Sequence, residues 1–334
     1  MKKISAKITS IGHFVPQKVL SNFDLEKMVE TSNEWILSRT GVRERRIIEN
    51  GSTSDLAVPA VLECLKLRNI SADEIDVIIV ATVTPDMLFP PTATIIQEKI
   101  GAKNSWGFDL EAACSGFIFA LTTGASLIES GRYKKVLVVG ADKMSSIVDY
   151  TDRNTCILFG DAASCVLLEP TENNDEGILD SILRTDGSGK EFLHMKAGGS
   201  LNPATTETVN QKMHYLFQDG KSVFKVAVKG MADISYEMMQ KYNLTSDDIS
   251  WLVPHQANLR IIDACAERIN LPKEKVMINI DKYGNTTAAT IPLCLYEWWK
   301  DKKLLNGQKI ILTSFGAGYT WGSVLVKWTM ENFK

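Results

Sequence analysis

Short apolar runs, many of them β-branched, recur along the chain between polar or turn-forming residues. They occupy residues 77–83 (VIIVATV), 135–140 (KVLVVG), 163–168, 251–254, 276–280, 309–314 and 323–328. Runs of this length without strict alternation predict strands buried on both faces. Longer stretches with helical spacing lie between them, at 54–68, 91–99, 114–130, 226–242, 257–268 and 288–301. Alternating strand and helix predict an α/β layered fold. The opening MKKISAKITSIG reads as one more strand. It has two lysines but no long apolar stretch behind them, so it is not read as a secretory leader.

Two of these segments repeat at a constant spacing. SADEIDVIIV resembles TSDDISWLVP, which sets Ile75 against Ile249, an offset of 249 − 75 = 174. KKVLVVGAD resembles QKIILTSFG, which sets Lys135 against Lys309, again 309 − 135 = 174. A duplication explains both: two similar βαβαβ-type halves packed about a pseudo-twofold axis, with the site at the seam. The same offset carries Cys114 onto Ala288, each near the start of an equivalent helix. Residues 1–170 form the first half and 223–334 the second. Residues 171–222 are rich in Gly, Asn, Thr and charge and include DGSG and AGGSLNP. They read as an inserted set of loops and short strands that partly covers the site.

Composition narrows the function classes. The 334 residues are 45% apolar and 23% charged, enough for a large core. The net charge of −3 provides no basic field for nucleic acid. No apolar run reaches the roughly 18 residues of a membrane span. The six cysteines form no CxxC pair, and five of them read as reduced, buried, small hydrophobes. A cytoplasmic, reducing compartment is expected.

Four motifs carry candidate chemistry. In FDLEAACSGFIFAL a strand end leads to Cys114 and then to a helix. Unpaired N–H groups and the helix dipole there favour thiolate and predict a lowered pKa; a buried structural cysteine is the alternative. In WLVPHQANLRI, His255 follows a strand and projects into the crevice at its C-terminal end, or is merely bonded to backbone. In DKYGNTTAATIP, Asn285 follows Gly284 ahead of a helix; it reads as a polar site group or as a turn or cap residue. In LTSFGAGYTWGS a strand runs into Gly316-Ala317-Gly318. Such a loop can set a backbone N–H beside that of Cys114 as an oxyanion hole, or can simply turn between two strands. No metal cluster, P-loop or dinucleotide fingerprint stands in a credible setting. His13, His194 and His214 read as structural or surface residues.

Together these motifs resemble the β-ketoacyl-acyl carrier protein synthase III family, of the thiolase-like fold. The resemblance runs from DLEKMVETSNEWILSRTGVRERR through TDRNTCILFGD to FGAGYTWGS, nearly the whole chain. It implies an α/β fold of five layers, α-β-α-β-α. Cys114 resembles the family nucleophile, and His255 and Asn285 its two partners. The oxyanion hole falls on the backbone of Cys114 and Ala317. Trp35, Arg39, Arg153 and Asn258 match the coenzyme A contacts, with Trp35 and Arg153 sandwiching the adenine. Phe89 matches a residue that reaches the partner subunit's acyl pocket in a homodimer, whose interface is expected to pair strands such as 163–168 or the Phe89 segment. Lys225, Arg260 and Arg268 match the patch that docks the acidic carrier. Three departures stand out: Glu267 beside Arg268, Ala317 in the glycine loop, and GDAASCVL for the more familiar GDGAGA.

The resemblance implies an acyltransferase that initiates type II fatty acid biosynthesis. It would condense acetyl-CoA, or a similar short or branched acyl-CoA, with malonyl-acyl carrier protein. The products would be 3-oxoacyl-acyl carrier protein, CoA and CO2, formed through a cysteine acyl-enzyme. No metal or cofactor is needed, because loss of CO2 drives the reaction. A thiolase would carry another cysteine near the last glycine loop, and none follows Cys294. Elongating synthases have a second histidine where Asn285 stands, and no glutamate stands out as the acid/base of a hydroxymethylglutaryl-CoA synthase. A synthase-III-like enzyme of secondary metabolism, a cysteine protease and a catalytically silent carrier-binding paralogue complete the alternatives.

Overall fold

The computed structural model describes residues 4–331; residues 1–3 of the expected N-terminal strand lie outside the described residues. The first sheet holds β1 (Ser5–Phe14), β2 (Val77–Ala81), β3 (Trp106–Leu110), β4 (Val136–Asp142) and β5 (Ala162–Thr171), in the order β1-β5-β4-β2-β3. β2 runs parallel to β3 and β4, while β5 is antiparallel to β4 and to β1. The second sheet holds β6 (Gly177–Thr185), β7 (Trp251–Pro254), β8 (Lys309–Gly316) and β9 (Thr320–Lys327), in the order β6-β9-β8-β7. The two orders match strand for strand except that the second sheet lacks a counterpart of β3.

Among the described residues, the α-helices of eight residues or more are α1 (Asn33–Thr40), α2 (Thr53–Arg68), α3 (Thr92–Ile100), α4 (Gly116–Glu129), α5 (Gly220–Lys241), α6 (Leu259–Arg268) and α7 (Thr290–Lys300). Alternate residues on each strand face opposite sides, and the buried clusters divide accordingly. Ile78 and Val80 of β2 pack with α2 and α3, whereas Val77 and Ile79 pack with Phe117 of α4 and Ile291 of α7. On the other sheet Ile310 and Leu312 face the same central helices, and Ile311 faces Ala227 of α5 and Ile262 of α6. The result is five layers, α-β-α-β-α, with α4 and α7 as the middle layer.

The 174-residue offset holds at atomic detail. β2 and β7 begin at 77 and 251 (251 − 77 = 174), and α4 and α7 at 116 and 290 (290 − 116 = 174). Each central helix is entered through a one-turn 3₁₀ segment, Ala113–Ser115 and Thr287–Ala289. The first residue of each has a positive φ, 47° at Ala113 and 49° at Thr287. The two halves therefore bring their active helix starts together at the seam.

Several expectations are corrected. Residues 276–280 form no strand beyond a single parallel bridge, Leu252 to Val276. The Gln256 side chain takes the backbone groups a ladder would use: Nε2 donates to Met277 O at 3.1 Å and Oε1 accepts from Asn279 N at 3.1 Å. Strand β5, containing 163–168, lies between β1 and β4, so its backbone is already paired and cannot join a second copy. The edge strands of that sheet are β1 and β3. The helix expected from 226 begins at Gly220, because Asp219 caps it by accepting from the N–H groups of Lys221 and Ser222. Residues 171–222 are more than an inserted set of loops and short strands covering the site, since the nine-residue β6 belongs to the second sheet; its unalternating ILDSILRT hid it. No described helix is long and apolar enough to cross a membrane.

Candidate active site

Cys114 lies in the 3₁₀ turn ahead of α4, two residues before the helix proper. The turn is pinned from the C-terminal half. Ser314 Oγ donates to Cys114 O at 2.8 Å, Thr320 Oγ1 to Ala112 O at 2.8 Å, and Ser115 Oγ to Thr320 O at 2.9 Å. Gly316 permits this approach, because a Cβ there would sit 2.7 Å from the Cys114 nitrogen. The following residue, Ala317, lines the same cavity as Cys114. The glycine loop is thus pressed against the cysteine turn.

His255 follows β7 directly, with its backbone N–H donating to Thr313 O at 2.8 Å. Its side chain is buried, and Nδ1 lies 2.7 Å from Thr290 Oγ1. Nε2 is buried and has no hydrogen-bond partner among the described residues. Burial pushes this imidazole down to about 3, so it is neutral at physiological pH.

Asn285 is held along its backbone, donating its N–H to Leu158 O at 2.8 Å and accepting from Gly160 N at 3.0 Å. Only glycine fits just before it: Gly284 has φ +64°, and a Cβ would lie 2.6 Å from Leu158 O. The amide oxygen of Asn285 accepts from Thr287 N at 2.8 Å. The amide nitrogen is thereby left for the cavity, where its proximity pulls the Cys114 pKa down.

The thiol itself differs from the expectation. Burial, with the charge of Asp142, pushes Cys114 up to about 12, against the pull of the Asn285 hydrogen bond. Desolvation of an anion outweighs the partial charge of a helix start. A shift in this direction keeps Cys114 as a thiol at neutral pH, where the sequence predicts a thiolate. Asp142, at the end of β4, is itself buried. It accepts from Thr82 Oγ1 (3.0 Å), Val83 N (2.8 Å), Thr84 Oγ1 (3.0 Å) and the Thr287 hydroxyl. Its burial raises its pKa, against those hydrogen bonds. Sequence reading missed Asp142, Thr287 and Thr290. The positive φ of Thr287 and the seam contact have no local sequence signal, although the offset placing 287 opposite 113 marked the region.

Cys114, His255 and Asn285 open onto one cavity of about 920 Å³. Met144, Ile157 and Phe159 give it an apolar wall, while Trp35, Arg39 and Asn258 stand on its lining. Arg153 lies over the Trp35 ring at 4.7 Å, and Arg39 at 5.8 Å. A ring intercalated between Trp35 and Arg153 would require the guanidinium to move aside, since nothing fits in 4.7 Å. Asn258 caps α6 by accepting from Arg260 N at 2.9 Å, and its Nδ2 donates to Arg39 O at 2.9 Å. It ties the second half to α1.

Of the remaining candidates, only Arg260 reaches the cavity lining. Phe89 is 83% exposed and away from the cavity lining. Arg260 lines the cavity and lies 4.8 Å from the Phe224 ring. Lys225 is exposed on α5 outside the lining. Arg268 is also outside it, over Tyr236 at 4.0 Å and paired with Asp233 at 3.0 Å, which offsets part of its charge. His194, read from sequence as a structural or surface residue, lines the cavity and holds Lys190 O through Nδ1 at 2.9 Å. The insertion's short ribbon of Leu193–Met195 and Leu216–Gln218 brings it there. All six cysteines are free, and only Cys114 is not fully buried. No group of metal-ligating side chains occurs among the described residues.

The chain matches the 3-oxoacyl-[acyl-carrier-protein] synthase III family over residues 108–187 and the C-terminal part of that family over residues 239–328. It is 55% identical over 325 residues to the β-ketoacyl-[acyl-carrier-protein] synthase III of Koribacter versatilis, covering 97% of this chain and 98% of that one. The crystal structure of 3-oxoacyl-[acyl-carrier-protein] synthase III from Aquifex aeolicus superposes with a TM-score of 0.89 at 44% identity, covering 97% and 100% of the two chains. The priming β-ketosynthase of a polyketide biosynthetic pathway superposes with a TM-score of 0.90 at 32% identity, covering 98% and 97%.

Proposed function

Because the chain belongs to the β-ketoacyl-acyl carrier protein synthase III family of condensing acyltransferases, we propose that it performs the initiating condensation of fatty acid synthesis. A short or branched acyl-CoA, acetyl-CoA included, supplies the starter, and malonyl-acyl carrier protein supplies the two-carbon unit. The observation that carries this reading is the convergence of Cys114, His255 and Asn285 on one cavity, with His255 Nε2 buried and without a hydrogen-bond partner among the described residues.

Cys114 sulfur attacks the starter thioester carbonyl, and the backbone N–H groups of Cys114 and Ala317 hold the oxyanion. The carbon–sulfur bond to CoA breaks, and the thiol proton ends on the departing CoA sulfur. The malonyl thioester then enters. His255 Nε2–H and Asn285 Nδ2–H donate to its carbonyl oxygen and stabilise the enolate as the carbon–carbon bond to CO2 breaks. The enolate carbon attacks the acyl-enzyme carbonyl, the carbon–sulfur bond to Cys114 breaks to give the 3-oxoacyl-carrier, and the released thiolate takes a proton from solvent. Every step uses side chains and backbone, so the reaction requires no cofactor. Trp35, Arg39, Arg153 and Asn258 bind CoA. Lys225, Arg260 and Arg268 guide the carrier. The enzyme works as a homodimer in the cytoplasm, with the exposed Phe89 segment reaching the partner.

The likeness to a priming β-ketosynthase keeps a second reading: the same chemistry with a starter or acceptor of secondary metabolism. One experiment addresses both. A panel of acyl-CoAs is incubated with the protein, with and without malonyl-carrier, and followed by intact mass and CO2 release. Acylation by short or branched acyl-CoA and turnover with malonyl-carrier support the first reading. A preference for a distinct starter or acceptor supports the second, and no acyl-enzyme from any thioester refutes both.

A further inference from the structure

The Thr290 hydroxyl has one proton and two acceptors within reach: His255 Nδ1 at 2.7 Å and Thr287 O at 3.1 Å. The choice fixes the histidine tautomer. If the proton goes to Thr287 O, Nδ1 must carry the ring hydrogen and Nε2 becomes a bare acceptor. If it goes to Nδ1, the hydrogen resides on Nε2, which becomes a donor. We propose that Thr290 donates to Nδ1 and thereby holds His255 in the Nε2–H tautomer.

Hydrogen-bond accounting supports that direction. Thr287 O already accepts the backbone N–H of Thr290, so it is satisfied without the hydroxyl. His255 Nδ1 is bonded within the protein to Thr290 alone among the described residues. The nearer oxygen–nitrogen separation is also that of a well-formed hydroxyl hydrogen bond. Thr287 then organises both site groups. Its N–H turns the Asn285 amide nitrogen to the cavity, its carbonyl anchors Thr290, and its hydroxyl is fixed by the buried Asp142 carboxylate. His255 and Asn285 present two donors, matched to one oxygen that gains negative charge. Thr290 touches no substrate in this arrangement; it is a positioning residue. The proposal rests on the condensing role given above to His255 and Asn285.

The test uses the full-length protein labelled with ¹⁵N-histidine, with His255→Gln as the assignment control. Long-range ¹⁵N–¹H correlation spectra report which ring nitrogen of His255 carries the proton. The expected result is Nε2–H in the wild type. In kinetics, Thr290→Val, nearly isosteric, lowers malonyl decarboxylation about 10- to 100-fold, the loss expected when a buried hydrogen bond is removed. Self-acylation falls less, and Thr290→Ser restores decarboxylation. Melting temperatures of both variants show whether folding is intact. An Nδ1–H tautomer in the wild type overturns the proposal. So does an equal loss of both half-reactions in well-folded Thr290→Val, or no rescue by serine. Failure of the broader functional reading looks different: the wild type itself forms no acyl-enzyme, whatever tautomer the spectra show.

Discussion

The backbone N–H of Thr287 donates to Asn285 Oδ1 at 2.8 Å, and this bond decides which end of the amide meets a substrate. An aspartate at 285 would keep an acceptor for Thr287 but would present a second acceptor, or a charge, to the enolate oxygen. Asn285→Asp is therefore expected to lower malonyl decarboxylation more severely than Asn285→Ala, by about 10- to 100-fold beyond it, because an acceptor repels where a missing group merely fails to help. Decarboxylation assays on acylated enzyme compare the two. Equal rates would show that Asn285 does not face the developing charge.

The thiol of Cys114, pushed up to about 12 by burial and by Asp142, predicts slow alkylation at neutral pH. The thiolate fraction rises tenfold per pH unit below the pKa. Iodoacetamide modification of Cys114, followed by intact mass, should keep accelerating through pH 9 with no plateau near pH 7. A plateau at or below neutrality would restore the thiolate expected of a helix start.

Stability should fall on mild acidification because of His255. Its folded pKa, about 3, lies below the ordinary 6.5. Between those values the unfolded chain binds a proton that the native protein refuses, so native stability is retained above about 6.5 and declines as the pH drops towards 3. The slope from this group is about 1.4 kcal/mol per pH unit. Urea midpoints at pH 7.5 and 5 should differ less in His255→Gln than in the wild type. Equal acid sensitivity of the two proteins would remove His255 as the cause.

Recognition of an acidic carrier by a protein of net charge −3 needs local basic groups. Each exposed pair contributes only ~0.2–1 kcal/mol and is screened over about 8–10 Å. Arg260→Glu is expected to raise the apparent KM for malonyl-carrier by a few-fold, most at low salt, and Glu267→Lys to lower it. Because Arg260 also lines the cavity, malonyl-CoA serves as the control acceptor. An equal effect of Arg260→Glu on both acceptors would assign the arginine to CoA binding or to the fold.

Much of this was legible from the chain. The strands around 77, 136, 251 and 309 are apolar because both their faces are covered, and the 174-residue offset exposed the duplication before any coordinate. Cys114, His255 and Asn285 were marked by strand ends and glycines; Cys114 and Asn285 meet because equivalent helix starts meet, and His255 joins them from the end of β7. What stayed hidden depended on contacts distant in sequence. Thr290 reads as an ordinary helix residue until His255, 35 positions away, is seen against it. The thiol's raised pKa comes from desolvation at the seam, which no local motif encodes. Residues 276–280 look like a strand, and only the Gln256 side chain explains why they are not one.

The central claim is that Cys114 carries the acyl group, and intact mass after exposure to acyl-CoA tests it most directly. Wild-type protein incubated with acetyl-CoA, or with whichever starter it accepts, should gain the mass of one acyl group, lost again on adding malonyl-carrier. Cys114→Ala should gain none, while keeping its melting temperature close to wild type because the change in volume is small. Acylation of the alanine variant to the wild-type level would contradict the account.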